Sequence, residues 1–265
     1  MQRTNPLRAI AIYCFAVALA ASFALLLGCS QGTTGTSNND KYEVFQNDDG
    51  KFVPQPLDVA SSKTGSEVTI TSSGWWAKDS YIHYGIKVLN PNGDLIARDV
   101  VIQISSYDEA GTLLSQDTDT ISFIGPHVET GFAGTCGNGQ KPASVTIEIL
   151  GTTVWQDASG YVDPLFVTSV DEADKGYYRY EYTGGVTNNT GTYVSTAPIC
   201  ILLEDEDGNI LAGYAGSTKR IKTDRTKDYQ ITINTAPEHA QVEVFAHWST
   251  LNDNVNEQLD GGEDA

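Results

Sequence analysis

Few side chains in this sequence are placed to do chemistry, and the most specific of them is a thiol. Cys29 stands where a predominantly apolar, uncharged run, residues 9–27, gives way to a Gly/Ser/Thr/Asn-rich stretch, residues 30–40. A thiol at that boundary is suited to carry a lipid through a thioether, with cleavage of the chain behind Gly28. Of the other cysteines, Cys14 lies within the apolar run. Cys136 and Cys200 remain, enough for at most one disulfide, and no CxxC spacing offers a metal site. Gly28-Cys29-Ser30-Gln31-Gly32 matches the Gly-x-Ser-x-Gly pattern in form only. That motif needs a strand-to-helix turn on an α/β sheet, and here it straddles the expected cleavage point. The four histidines, His83, His127, His239 and His247, form no pair at helical spacing. Two clusters, Asn47-Asp48-Asp49-Gly50 and Asp205-Glu206-Asp207-Gly208-Asn209, gather oxygen ligands, but neither completes an EF-hand loop. Asn188-Asn189-Thr190 has the form of a glycosylation acceptor and is read as a turn. No catalytic residue, metal or cofactor is therefore assigned, and the chain is expected not to be an enzyme. The abundance of Asp and Glu leaves an envelope enzyme with a carboxylate or calcium site as an alternative.

Recognition chemistry is better represented. Trp75 and Trp76 are adjacent after Gly74, in a segment read as a loop between strands. In extended backbone, neighbouring side chains point to opposite faces, so one ring is expected in the core and the other exposed. An exposed Trp can stack on a sugar or anchor a protein partner. His83 falls on the outward phase of its strand and joins Trp75 and Trp76 as a candidate ligand contact. Tyr178, Tyr180 and Tyr182 recur with period two and are read as a core stripe, whereas Tyr177, Arg179 and Glu181 are expected to face solvent.

The elements around these residues begin with a leader. Arg3 and Arg8 precede the apolar run, as in a secretion signal, and its nineteen residues (9–27) are also just long enough to span a bilayer as an uncleaved anchor. Leu26, Gly28 and Cys29 resemble the lipobox of bacterial lipoproteins, which implies residues 1–28 as a signal peptide and a lipid anchor on Cys29. Either reading puts the chain at the cell membrane on its extracytoplasmic side. Removing residues 1–28 takes away two arginines and no acid, so 14 basic side chains of the original 16 stand against 34 acidic ones, a formal charge of −20. Such a surface repels phosphate, which argues against a nucleic-acid partner. The expected partners are the membrane, through the lipid on Cys29, and an envelope protein or glycan.

Residues 29–45 read as a flexible, lipid-anchored tether, and residues 252–265 as an acidic disordered tail. Between them run short β-patterned segments broken by Gly, Pro and Asn/Asp clusters, without a sustained helical period. Ile82, Tyr84, Ile86 and Val88 alternate with Tyr81, His83, Gly85 and Lys87, a strand with one buried face. Val100, Ile102 and Ile104 give a second strand, which turns at Asp108-Glu109-Ala110-Gly111 into Leu113 and Leu114. The second half repeats the first. Residues 107–114 (YDEAGTLL) align with 204–211 (EDEDGNIL) at an offset of 97, which also puts Val145 and Ile147 on Val242 and Val244. An offset of 98 pairs Ile82, Tyr84, Val88 and Asn90 with Tyr180, Tyr182, Val186 and Asn188. One extra residue between the registers calls for a bulge or a longer turn. A period this long indicates two tandem domains. We expect an all-β chain of two Ig-like β-sandwiches, each of about seven strands: residues 46–160 (repeat core 67–155) and residues 161–251 (repeat core 164–248). A pair of up-and-down barrels is the alternative.

The order of features resembles the FxLYD-type domain of secreted and lipid-anchored prokaryotic proteins. It comprises a strand entering an Asn-centred turn (Val88-Leu89-Asn90), a Val/Ile-rich strand, a Tyr-Asp-x-x-Gly turn (Tyr107 to Gly111), an apolar return and a late Val-x-Ile strand. The resemblance implies an Ig-like fold and an envelope location and supplies no catalytic residue. The second copy departs from it, with Glu204 at the place of Tyr107 and without the Gly125-Pro126 pair. These readings together point to a non-catalytic, lipid-anchored binding or scaffolding protein, with a carbohydrate- or cell-wall-binding module as the alternative.

Overall fold

The computed structural model describes residues 49–57, 60–78 and 81–253. All of them belong to one compact unit, Tyr42–Ala265; the other unit, Met1–Lys41, lies outside the described residues. So do Gly28, Cys29, the tether and the tail from residue 254 onward. Among the described residues no helix is long and apolar enough to cross a membrane.

The described chain is all-β. Its first half contains β1 (Thr69–Lys78), β2 (Tyr81–Leu89), β3 (Leu95–Tyr107), β4 (Leu113–Ile124), β5 (Glu129–Cys136) and β6 (Ser144–Asp157). The second half contains β7 (Phe166–Thr168), β8 (Asp171–Asp174), β9 (Tyr180–Asn188), β10 (Val194–Glu204), β11 (Ile210–Ile221), β12 (Thr226–Ile233) and β13 (Gln241–Ala246), with a 3-10 turn at Thr250–Asn252. Sheets β1-β2-β5 and β4-β3-β6 face each other as the first sandwich, and sheets β7-β9-β12 and β11-β10-β13 as the second. The chain changes sheet after the second, fourth and fifth strands, as in an Ig-type sandwich.

Alternation decides which side chains meet inside. Ile82, Tyr84, Ile86 and Val88 of β2 are buried against Val100, Ile102 and Ile104 of β3. Tyr182 and Val186 of β9 meet Ile199, Ile201 and Leu203 of β10 in the same way. Each such side chain contributes about 1.5–3 kcal/mol by leaving water. Among the described residues the first sandwich has six strands where about seven were expected, the chain passing from β6 to the second sandwich. In the second, the edge strand is split into β7 and β8, both paired with β9.

The repeat read from the sequence is a repeat of pairing register. Tyr107 opposes Leu113 and Ala97 opposes Ile124 in the first copy; Glu204 opposes Ile210 and Val194 opposes Ile221 in the second, each 97 residues on. Ile82 opposes Cys136, and Tyr180 opposes Ile233. The odd residue is absorbed in the turn between the second and third strands, residues 90–97 against 188–194, and not in a bulge. That turn is built on a buried asparagine in both copies. The Asn90 Nδ2 donates to the carbonyls of Leu95, Ile124 and Gly125 at 2.8, 3.2 and 3.0 Å. The Asn188 Nδ2 donates to those of Thr192 and Ile221 at 2.9 and 3.2 Å. The Asp108 and Asp205 turns also match: Oδ1 of each accepts from the backbone N–H groups two and four residues on. Gly111 and Gly208 close these turns at φ of +78° and +81°, a conformation that favours glycine.

The sandwiches are stacked face to face. Strand β11 packs on β1, β2 and β5, and β10 and β13 pack on β5, so sheet β1-β2-β5 is covered on both sides. Backbone approaches backbone at Gly213, where a Cβ would lie 2.4 Å from the Tyr84 carbonyl oxygen and 2.6 Å from the Gly85 Cα. Ala133, Cys200, Leu202 and Ile210 form a separate buried cluster at this junction. The outward phase of β2 is therefore not a solvent face, contrary to its sequence reading. Lys87 reaches across the junction to Glu204 and Glu243, with Nζ 2.8 Å from a carboxylate oxygen of each. Burial disfavours the Lys87 charge, but hydrogen bonds to Glu204 and Glu243 outweigh that and hold its pKa above the ordinary value. Glu204 stands at the repeat position of Tyr107, so the departure in the second copy supplies half of an ion pair between the copies.

The start of the expected disordered tail is also structured. Asn252 is buried, and its Oδ1 accepts from the Ser195 N–H, the Ser195 hydroxyl and the Thr196 N–H. Asp253 binds the buried Arg98 guanidinium of β3 at 2.7 Å and accepts from the Trp248 Nε1 at 2.7 Å. These bonds lock the C-terminal turn across both halves.

Candidate functional site

Trp75 and Trp76 sit within β1, not in a loop, and oppose Tyr84 and His83 of β2. As expected for adjacent strand residues, they point to opposite faces: Trp75 packs into the first core and Trp76 against the second. The expectation of one solvent-exposed ring fails, because the second sandwich half covers Trp76. The Trp76 ring lies 6.3 Å from His83, whose ring stacks on Tyr214 of β11 at 4.7 Å. The three rings thus form a column across the junction. The His83 Nδ1 lies 3.1 Å from the Thr135 hydroxyl, and burial lowers its pKa. Tyr214 donates to the Thr235 carbonyl at 2.8 Å, and burial raises its pKa. Beside the column a shallow cleft of about 330 Å³ is lined by His83, Thr135, Tyr214, Ile231 and Asn234, among others. Its lining can stack and hydrogen-bond, and its imidazole is kept neutral at physiological pH.

The exposed aromatics are at one end of the molecule. Tyr177, Tyr178 and Tyr81 are 98%, 52% and 58% exposed. Tyr177 and Tyr178 occupy a turn closed by Lys175 N–H to the Arg179 carbonyl at 2.8 Å, with φ of +56° and +65°. Left-handed backbone is costly for bulky side chains and clusters at ligand-contact sites. The Lys78 Nζ lies 5.2 Å from the centre of the Tyr178 ring and so joins the β1–β2 hairpin to this turn. Tyr178 is not part of a core stripe: β9 starts at Tyr180, and Tyr182 alone of the three is fully buried. Gly176, immediately before the pair, is the turn signal that separates them from the strand.

The remaining sequence candidates have structural roles. Asp205 spends both carboxylate oxygens on its own turn, and those hydrogen bonds, led by the one from the Asn209 side chain, lower its pKa. Of the other acidic cluster, Asn47 and Asp48 lie outside the described residues. Among the described residues no three His, Cys, Asp or Glu side chains are grouped to hold a metal. Asn188 of the sequon is fully buried in its turn. Cys136 and Cys200 are free thiols. Burial, followed by the charges of Asp117 and Asp119, pushes Cys136 up to about 12, and burial raises Cys200 well above its ordinary value. Neither is an activated nucleophile.

No family model and no curated protein matches this chain. Among solved structures, it is similar to red sea bream transglutaminase at 10% identity and a TM-score of 0.25, over 69% of this chain and 29% of that one. The chain thus spans less than a third of that protein's length, and a likeness this slight bears on neither fold nor chemistry.

Proposed function

We propose that this chain is a non-catalytic protein of the cell envelope, held on the extracytoplasmic side of the membrane by lipid on Cys29. Its two sandwiches act as one binding or scaffolding module, in keeping with the FxLYD-type resemblance. The observation that carries this reading is the junction. Glycine-floored packing and the Lys87–Glu204–Glu243 ions join the two copies face to face, which suits presentation of a fixed surface more than a hinged, closing site. A polar tether behind a lipidated cysteine would hold that body off the bilayer, and its acidic surface would keep it clear of anionic headgroups. Metabolic labelling of the native host with an alkyne fatty acid tests the anchor. The full chain takes the label and Cys29→Ser does not; an unlabelled wild-type chain contradicts the proposal.

A second reading, recognition of carbohydrate or cell wall, is favoured by one feature: the strained, exposed Tyr177–Tyr178 turn beside Tyr81. Tyrosine rings stack on the C–H faces of sugars and lose little conformational freedom in doing so. Trp76 and His83 fit this role less well, being half buried at the junction. Binding isotherms with purified wall glycan distinguish the readings. Binding lost in Tyr177→Ala/Tyr178→Ala supports glycan recognition, and flat isotherms for wild type remove it.

A further inference from the structure

A second cleft, of about 240 Å³, opens on the other side of the junction, where the ends of β4 and β13, the start of β5 and the linker between the sandwiches meet. Its walls are aromatic: Phe123, Tyr161, Phe166, Phe245 and Trp248 line it together with His247. His247 is only 9% exposed, and its Nε2 is fully buried without a hydrogen-bond partner. A buried polar atom left unpaired costs about 1–3 kcal/mol, and a ligand supplying the missing bond recovers that cost. Two carboxylates line the same cleft. Glu129 accepts from the Thr71 hydroxyl at 2.6 Å and Asp163 from the Tyr161 hydroxyl at 3.1 Å, each through one oxygen.

We propose that this cleft binds a small primary amine with a compact apolar body, its ammonium group donating to His247 Nε2 and lying near the Glu129 and Asp163 carboxylates. The charges choose the sign of the ligand. An anion would meet two carboxylates and a protein of net charge −18, whereas a cation is drawn to both. The His247 ring donates to the Gly131 backbone, and because Nε2 has no partner the proton lies on Nδ1 and Nε2 is the accepting nitrogen of the neutral imidazole. Burial lowers the His247 pKa to about 4, so the ring is neutral at physiological pH and its lone pair is available. The aromatic walls add cation–π attraction. The volume lies below the roughly 300–1,000 Å³ of drug-sized sites, which restricts the ligand to about the size of one ring and its amine.

The test is a titration of the full chain, carrying isotope-labelled histidines, with benzylamine and separately with benzoate, followed by NMR. The chain has four histidines, so His247 is assigned from the signal missing in His247→Gln. Benzylamine is expected to shift the His247 ring signals saturably while benzoate leaves them in place. His247→Phe weakens benzylamine binding about tenfold or more, the loss expected for one hydrogen bond to a charged donor. His247→Gln, which keeps an acceptor, recovers part of that. His247 signals that stay fixed with benzylamine, or that move as far with benzoate, overturn the proposal. So does a folded His247→Phe that binds benzylamine like wild type. If His247→Phe does not fold, the wild-type titrations decide alone.

Discussion

Lys87→Met tests how firmly the two sandwiches are joined. The Lys87 side chain is 18% exposed and that of Glu204 3%, while Glu243 is 43% exposed at the rim. Methionine keeps the aliphatic stem and deletes the charge, which strands the Glu204 carboxylate inside the junction. Breaking a buried pair on one side costs about 3–5 kcal/mol. The partial exposure of Lys87 favours the lower end, about 3 kcal/mol. The cost is that of an uncompensated charge, so Lys87→Met/Glu204→Gln is expected to return to within about 1 kcal/mol of wild type, since neutral replacement of a buried pair is often tolerated. Glu243→Gln alone costs under about 1 kcal/mol, as an exposed partner does. Urea unfolding of the full chain, followed by tryptophan fluorescence, measures all four proteins. A Lys87→Met protein within 1 kcal/mol of wild type, or a double variant no more stable than the single one, refutes the reasoning.

Other consequences can be measured in the same way. Asn188→Ala takes one donor from each of the Thr192 and Ile221 carbonyls, the first of which keeps the Thr190 hydroxyl, removes the acceptor of the buried Thr190 N–H and hydroxyl, and is expected to cost about 3 kcal/mol; Asn90→Ala should match it, and a loss under 1 kcal/mol for both contradicts the shared role. Gly213→Ala puts a Cβ 2.4 Å from the Tyr84 carbonyl oxygen, which should lower the melting temperature through about 1–3 kcal/mol of overpacking and shift the fluorescence of the half-buried Trp76 to the red. The folded His247 value of about 4 lies below the unfolded value of 6.5. The unfolded chain therefore binds the extra proton between them, and the contribution present above pH 6.5 is lost as pH falls to 4. It amounts to about 3 kcal/mol, and the difference between wild type and His247→Phe across that window reads it; parallel curves contradict it.

Much of the architecture was legible in single residues. The offsets of 97 and 98 already showed which segments of the two halves correspond, because strand period and turn chemistry act locally: Asn90 and Asn188 fill the same turn, and Asp108 and Asp205 cap the same hairpin. The stacking of the copies was harder to see, because the surface that β2 offers to it looks like a solvent face. His83, Gly85 and Lys87 are polar or small for reasons of stacking, close approach and ion pairing. The signal lay in β10, where residues 199–203 are apolar on both phases, the mark of a strand covered on two sides. Glu204 was readable only as a departure from the first copy, since its partner belongs to the other sandwich. Trp75 and Trp76 drew attention by residue type, but extended pairing with β2 takes both into packing, while Gly176 turns the less conspicuous Tyr177 and Tyr178 outward.

A binding role at the envelope, as proposed, requires a partner, and the exposed Tyr177–Tyr178 turn of the second reading is the surface on which to look for one. The most direct measurement is photo-crosslinking in living cells from a photoreactive phenylalanine placed at Tyr177, 98% exposed, beside a control at the exposed Thr120 of β4. One discrete adduct, protein or glycan, that forms from position 177 and not from 120 is the expected result. No adduct from 177, or the same adducts from both positions, contradicts the claim.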